Sequence, residues 1–272
     1  MKKILVPVDF SETAENAANF ATNFLKDKAP DAHLILYHVY SSINLPSISP
    51  KDEGSRQRVS EHALEGLAKD LTGNGSIFIS CVAEAGGFIE SISDYVLANK
   101  IDLIIMGITG SSRIAQVFMG TNTLNVVKSV NCPVMIIPPE AKYNGLHKAV
   151  FTSDFKDVAR THPFESIKKI LNMFNPELDI VNVDEDHYVE LTNEYKIEKK
   201  SMEDNLGEFH PQYAFLRSFD FLDGISTFVE SRGIDVIITL PRKHGLMSQL
   251  FKTSHTKKLA YHSSIPIIAI PQ

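Results

Sequence analysis

The chain has 272 residues, 43% of them hydrophobic and 22% charged, with 27 basic against 33 acidic residues and a net charge of −6. That suits one large or two medium globular domains and excludes wholesale disorder, while the mild acidity argues against a nucleic-acid binder, whose affinity rests on neutralised phosphates. The two cysteines, Cys81 and Cys132, lack the C-x-x-C spacing, which excludes a disulfide scaffold or a thiolate zinc site and fits a reducing cytoplasm.

Ile4 to Val8 is a short apolar run, as in a strand buried on both faces. Asp9 interrupts it well before a signal segment of roughly 7–15 apolar residues or a spanning helix of about 18. A cytoplasmic chain with no membrane partner is therefore expected. Ser11 offers a helix N-cap, with Glu12 and Glu15 at the positive end of the helix dipole. Ala14, Ala17, Ala18, Ala21, Phe24 and Leu25 follow at helical spacing until Pro30. His33 to Tyr40 reads as a second strand, a helix carries Val59, Ala63, Leu64 and Leu67, and Ile77 to Val82 reads as a third strand. Ile89, Ile92 and Val96 mark a short helix, Leu103 to Met106 a fourth strand, and Val134 to Ile137 a fifth. Strands alternating with helices predict a parallel sheet with helices on both faces.

The order then restarts. His147 to Phe155 resembles Lys2 to Phe10, with Asp154 in the place of Asp9. Ile101-Asp102-Leu103-Ile104-Ile105 recurs as Ile234-Asp235-Val236-Ile237-Ile238, and the same register pairs Phe118 with Phe251, Pro133 with Pro266 and Pro138 with Pro271. Identities scattered over a whole strand–loop–helix–strand unit predict a tandem duplication, with domains at 1–140 and 146–272 joined by the polar stretch Glu140 to Gly145.

Past the fourth strand comes Gly107-Ile108-Thr109-Gly110, and nine residues later Gly120-Thr121-Asn122-Thr123 opens a helix. Ligands of open α/β sheets bind beyond the carboxyl ends of the strands. Glycines there allow close approach, and the free N–H groups and dipole of a helix N-terminus favour phosphate. One glycine would be ordinary turn chemistry. The whole Gly-x2-Gly-x9-Gly-Thr string between a buried strand and a helix is far more specific.

These residues resemble the ATP-binding branch of the universal stress protein family, whose nucleotide signature is Gly-x2-Gly-x9-Gly-Ser/Thr. Lys2 to Ser11 looks like the family's first strand and turn, and His38-Val39 like the end of its second strand. The resemblance is strong over 1–139 and weaker over 147–272. It implies two tandem, open, twisted, parallel five-stranded sheets with helices on both faces, a Rossmann-like, adenine nucleotide alpha hydrolase-like α/β fold. It further implies that Asp9 binds the ribose or adenine edge beside Pro7 and Val8, that Val39 contacts the adenine, and that Met106 and Gly107 lie along the sugar and phosphates. Gly110, Gly120, Thr121 and Asn122 would hold the phosphate chain. The implied ligand is ATP, with Mg²⁺ as a companion and AMP or ADP as alternatives. The implied role is in stress response or signalling. The family's edge strands imply pairing of the two domains within the chain, with homodimerisation as a further expectation.

Two readings of Asp9 stand side by side. It is a ligand residue by its place at a strand end, or an Asx-turn residue entering the first helix. Thr121 serves as cap and phosphate ligand together, and Arg113 reads as a surface arginine. In the second half Leu240, Lys243 and Thr253 replace Gly107, Gly110 and Gly120, so one nucleotide site per chain is expected. The basic run Arg242, Lys243, His244, Lys252, His255, Lys257 and Lys258 reads as a solvated face or as an anion-binding patch. The scattered histidines show no metal-ligand spacing. No Gly-x-x-x-x-Gly-Lys-Ser/Thr loop or Gly-x-Ser-x-Gly elbow marks an enzyme, so no catalytic residue is assigned. The rivals to a nucleotide-binding signalling protein are a ligand-free scaffold and a slow ATP hydrolase.

Overall fold

A computed structural model of the chain describes residues 1–40, 51–73, 77–108, 121–184, 192–218, 220–241 and 265–272. It divides into two compact units, Met1–Tyr143 and Asn144–Gln272.

In the first unit β1 (Lys3–Pro7), β2 (His33–Tyr40), β3 (Phe78–Ala85), β4 (Leu103–Gly107) and β5 (Val134–Ile137) alternate with α1 (Glu12–Lys28), α2 (Lys51–Thr72), α3 (Phe88–Asn99) and α4 (Thr121–Ser129). The strands lie in the order β3-β2-β1-β4-β5, every observed pair parallel. Ile4, Leu5, Leu34, Leu36, Leu103 and Ile104 are fully buried, the signature of a central sheet covered on both faces. In-register pairing puts Pro7, Tyr37 and Met106 on one face and Gly107 on the other. α1 packs against the Gly107 face and α3 against the opposite one, where the rings of Tyr95 and Tyr37 lie 4.8 Å apart.

Local chemistry accounts for the helix ends. Ser11 Oγ accepts from the Ala14 N–H at 3.3 Å, with Glu12 and Glu15 in the first turn of α1 and Lys26 and Lys28 in the last. Both charge placements favour the dipole. The expected face of α2 is shifted. Val59 is 70% exposed, and the buried row runs through Ser60, Leu64 and Leu71, because packing rather than side-chain character selects which stripe of a helix is covered. Residues 141–143 pack on α1: Asn16 Nδ2 donates to the carbonyls of Pro138 and Ala141, and Tyr143 donates to Asp27 while its ring meets Phe20 edge-on.

In the second unit β6 (Lys148–Thr152), β7 (Glu177–Asp184), β8 (Gln212–Arg217), β9 (Val236–Thr239) and β10 (Ile267–Ala269) lie in the order β8-β7-β6-β9-β10, again parallel. Its helices are α5 (Val158–Thr161), α6 (Phe164–Phe174), α7 (Asn193–Leu206) and α8 (Phe221–Arg232). Where the first unit has one long α1, this unit has the short α5 and then α6. His162-Pro163 separates them, as expected of proline, which cannot donate within a helix.

No helix among the described residues is long and apolar enough to cross a membrane. Both cysteines are free, and burial pushes each thiol up, Cys132 to about 12, so neither is a ready nucleophile at neutral pH. His33 Nε2 bonds Ser80 Oγ at 2.8 Å, and burial followed by the Lys3 charge lowers its pKa below 6.5. The folded chain then binds fewer protons there than the unfolded one. Its contribution is intact above pH 6.5 and is lost as pH falls from 6.5 through the folded pKa. The urea midpoint of the wild type is expected to drop across that window more steeply than that of His33→Gln. Equal slopes would remove His33 as a source of the acid sensitivity.

Candidate functional site

The site is built from the carboxyl ends of β1, β2 and β4 and the start of α4. β1 ends at buried Pro7, and the Val8 N–H still pairs with the Tyr37 carbonyl at 2.8 Å before the chain leaves the sheet. Asp9 Oδ1 then accepts from the backbone N–H of Ser11 at 3.1 Å and from its hydroxyl at 2.5 Å, and Phe10 takes a left-handed φ of 59°. That is an Asx turn. The second unit repeats it: Asp154 Oδ1 accepts from the Lys156 N–H at 3.2 Å and Phe155 has a φ of 50°. The aspartate common to the two halves therefore has a turn-forming job in both. In Asp9 the other oxygen, Oδ2, has no hydrogen-bond partner among the described residues.

His38, on the β2 face opposite Tyr37, donates from Nδ1 to the Val8 carbonyl at 2.7 Å and lies 4.8 Å ring to ring from Phe10. It ties the ends of β1 and β2 together. Sequence reading placed His38 only as a strand end, since nothing local marks a contact made 30 residues away. Val39 is half-buried one residue on and shares its face with Tyr37. Met106 is 6% exposed on that same face. Pro7, Val39 and Met106 thus stand at the ends of three adjacent strands on one side of the sheet, an apolar ledge of which Val39 is the most exposed part.

Gly107 also has a packing role that the motif does not announce. A Cβ there would come within 2.7 Å of the Thr13 carbonyl oxygen and 3.0 Å of its carbon. The missing side chain lets α1 approach β4. α4 begins at Thr121, where the spacing predicts a helix, and exposed Asn122 lies in its first turn. Thr123 is 2% exposed, and its hydroxyl reaches the carbonyls of Gly107 and Ile108 at 3.1 and 3.3 Å. It fastens the helix start to the strand end and so fixes both ends of the loop. Gly110, Gly120 and Arg113 lie outside the described residues, as does the side chain of Thr121.

A hydrogen-bonded pair borders the ledge. Tyr37 donates to Glu84 Oε2 at 2.5 Å, and β3 places Glu84 in register with Val39. Burial, then the hydrogen bond to Glu84, raises the Tyr37 pKa far above its usual value, so the phenol stays protonated and donating. Among the described residues no cluster of three or more His, Cys, Asp or Glu side chains stands ready for a metal.

The matching end of the second unit is polar. Thr152, Ser153 and Thr239 replace Pro7, Val8 and Met106, and all three are buried. Ser153 Oγ bonds His162 Nε2 at 3.0 Å, and Asn182 donates to the Ser153 carbonyl. Leu240, in the place of Gly107, is 5% exposed. Phe155, the counterpart of Phe10, is 3% exposed against the 36% of Phe10. Its ring lies 5.2 Å from Phe215 and 6.3 Å from Tyr195, while Glu198 of α7 accepts from the Val158 N–H at 2.8 Å at the start of α5. α7 and the rings under it fill this end of the sheet with the protein's own side chains. Lys243, Thr253 and the basic run 242–258 lie outside the described residues.

A model of the universal stress protein family matches residues 1–138. Two universal stress proteins of Methanocaldococcus jannaschii are similar. One is 29% identical over 147 residues, covering 52% of this chain and 84% of its own. The other is 28% identical over 155 residues, covering 50% and 94%. Among solved structures, a universal stress protein from Archaeoglobus fulgidus matches 99% of this chain and 96% of its own at 19% identity with a TM-score of 0.70, a likeness of fold.

Proposed function

This chain belongs to the universal stress protein family, and from that premise we propose that its first unit binds ATP at the ends of β1, β2 and β4 and acts as a nucleotide-responsive protein of stress signalling. The observation that carries the reading is the Gly107-x2-Gly110-x9-Gly120-Thr121 string, whose two ends Thr123 holds side by side at the end of a parallel strand and the start of a helix. The base would rest on Pro7, Val39 and Met106, with Val8 and Asp9 at the ribose or base edge. The phosphates would run past Gly107 to Gly110, Gly120, Thr121 and Asn122, where main-chain donors and the helix dipole favour anions. Mg²⁺ would arrive with the triphosphate, held by phosphate and water oxygens. AMP and ADP fit the same base and ribose contacts with fewer phosphate bonds.

A single site per chain is favoured because Phe155 is buried where Phe10 is exposed, and Leu240 stands where the first unit has Gly107. Signalling requires ATP to favour one conformation over another by differential affinity. Titration calorimetry with ATP and Mg²⁺ is expected to give one site per chain. Gly120→Val should weaken it by about 10- to 100-fold, the loss of one or two charge-assisted hydrogen bonds. Two sites, or no heat from protein freed of bound nucleotide, would overturn the reading.

A further inference from the structure

We propose that Glu84 selects the base, making the site specific for a purine with an exocyclic amine at position 6 over one with a carbonyl there; this deepens, and rests on, the nucleotide-binding reading above. β3 places Glu84 beside Val39 in parallel register, and its bond to Tyr37 puts its carboxyl on the face that carries Pro7, Val39 and Met106. Neighbouring strands are about 4.8 Å apart, so the carboxyl stands within one base width of the apolar ledge. Oε2 is engaged by the Tyr37 hydroxyl at 2.5 Å, the length of a charge-assisted bond. Oε1 has no hydrogen-bond partner among the described residues. A carboxylate offers lone pairs and no donor, so a half-buried one at the rim of a base site rewards an N–H and rejects a C=O.

Tyr37 acts as the positioning residue. It is fully buried, its ring lies tilted against that of Tyr95, and its phenol is held as a donor. It therefore fixes which carboxyl oxygen is spoken for and leaves the other to a ligand. The contact that makes this device spans 47 residues of sequence, and Glu84 carries no motif that would single it out.

The test compares ATP with inosine triphosphate, which has a carbonyl in place of the 6-amine and a proton on N1, on the full chain. The wild type is expected to bind ATP tighter by about tenfold or more. Glu84→Gln keeps shape and an acceptor for Tyr37 but turns an amide N–H toward the ligand, so the preference is expected to fall to parity or invert while inosine triphosphate binding holds or improves. Tyr37→Phe should shrink the preference without inverting it. A structural role alone would weaken both nucleotides equally. Equal affinities in the wild type, or an unchanged ratio in a folded Glu84→Gln, would overturn the assignment of Glu84 and leave the nucleotide site standing. Binding of neither triphosphate by the wild type would overturn both.

Discussion

Phe155→Ala is expected to lower the stability of the chain by about 3–5 kcal/mol, the cost of emptying a buried aromatic position, whereas Phe10→Ala should cost under about 1 kcal/mol, as exposed positions do. The two phenylalanines follow the same aspartate, occupy the same left-handed turn and have φ values of 50° and 59°. Any difference between them is therefore a difference of surroundings. The Phe155 ring sits among Tyr195, Tyr213 and Phe215, with centroids 5.2 to 6.4 Å away, while Phe10 is 36% exposed and touches the ring of His38. Phe155→Gly provides an internal control. It loses the same ring but relieves a left-handed conformation that costs an L-residue roughly 1–2 kcal/mol, so it should be the less damaging of the two substitutions at 155. Urea denaturation of the four proteins decides the matter. Equal losses at positions 10 and 155 would mean that the second unit's strand ends are as open as the first's.

Gly107→Val should destabilise the protein by about 1–3 kcal/mol or more in the complete absence of nucleotide, because the new side chain meets main chain rather than a movable side chain. The clash is with the Thr13 carbonyl, 2.7 Å from the would-be Cβ, and relief requires α1 to lift from β4. Thermal unfolding of nucleotide-free protein is the measurement. Wild-type stability together with lost ATP binding would show that Gly107 clears space for a ligand after all. The second unit offers the converse case: Leu240 fills the corresponding position, and the long first helix is replaced there by α5, a break at His162-Pro163 and α6.

Unit 1 was largely legible because its signals are local. Wholly apolar runs such as Ile4 to Val8 and Leu103 to Met106 read as covered strands, and the spacing of Ala14, Ala17, Ala21 and Leu25 reads as one buried side of a helix. Strand–helix alternation then restricts the connections to parallel crossovers, and the glycine string by itself points to a family. The second unit was less legible. A repeat of Ile101 to Ile105 marks its β9, but its helices follow from a proline break and from α7, which no local pattern of the first unit anticipates.

What composition and periodicity decide about this protein is which segments become strands and helices and where a phosphate-sized loop is spelled out, since those choices depend on neighbours within a turn or a pleat. Packing decides the rest. Thr123 meets Gly107 across 16 residues, Tyr37 meets Glu84 across 47, and Asn16 meets Ala141 across 125. The same Asp-Phe turn is open in one unit and plugged in the other for that reason. A side chain's chemistry is written in its own position, but its burial, its partners and the room beside it are set by residues distant in the chain that the fold brings within a few ångströms.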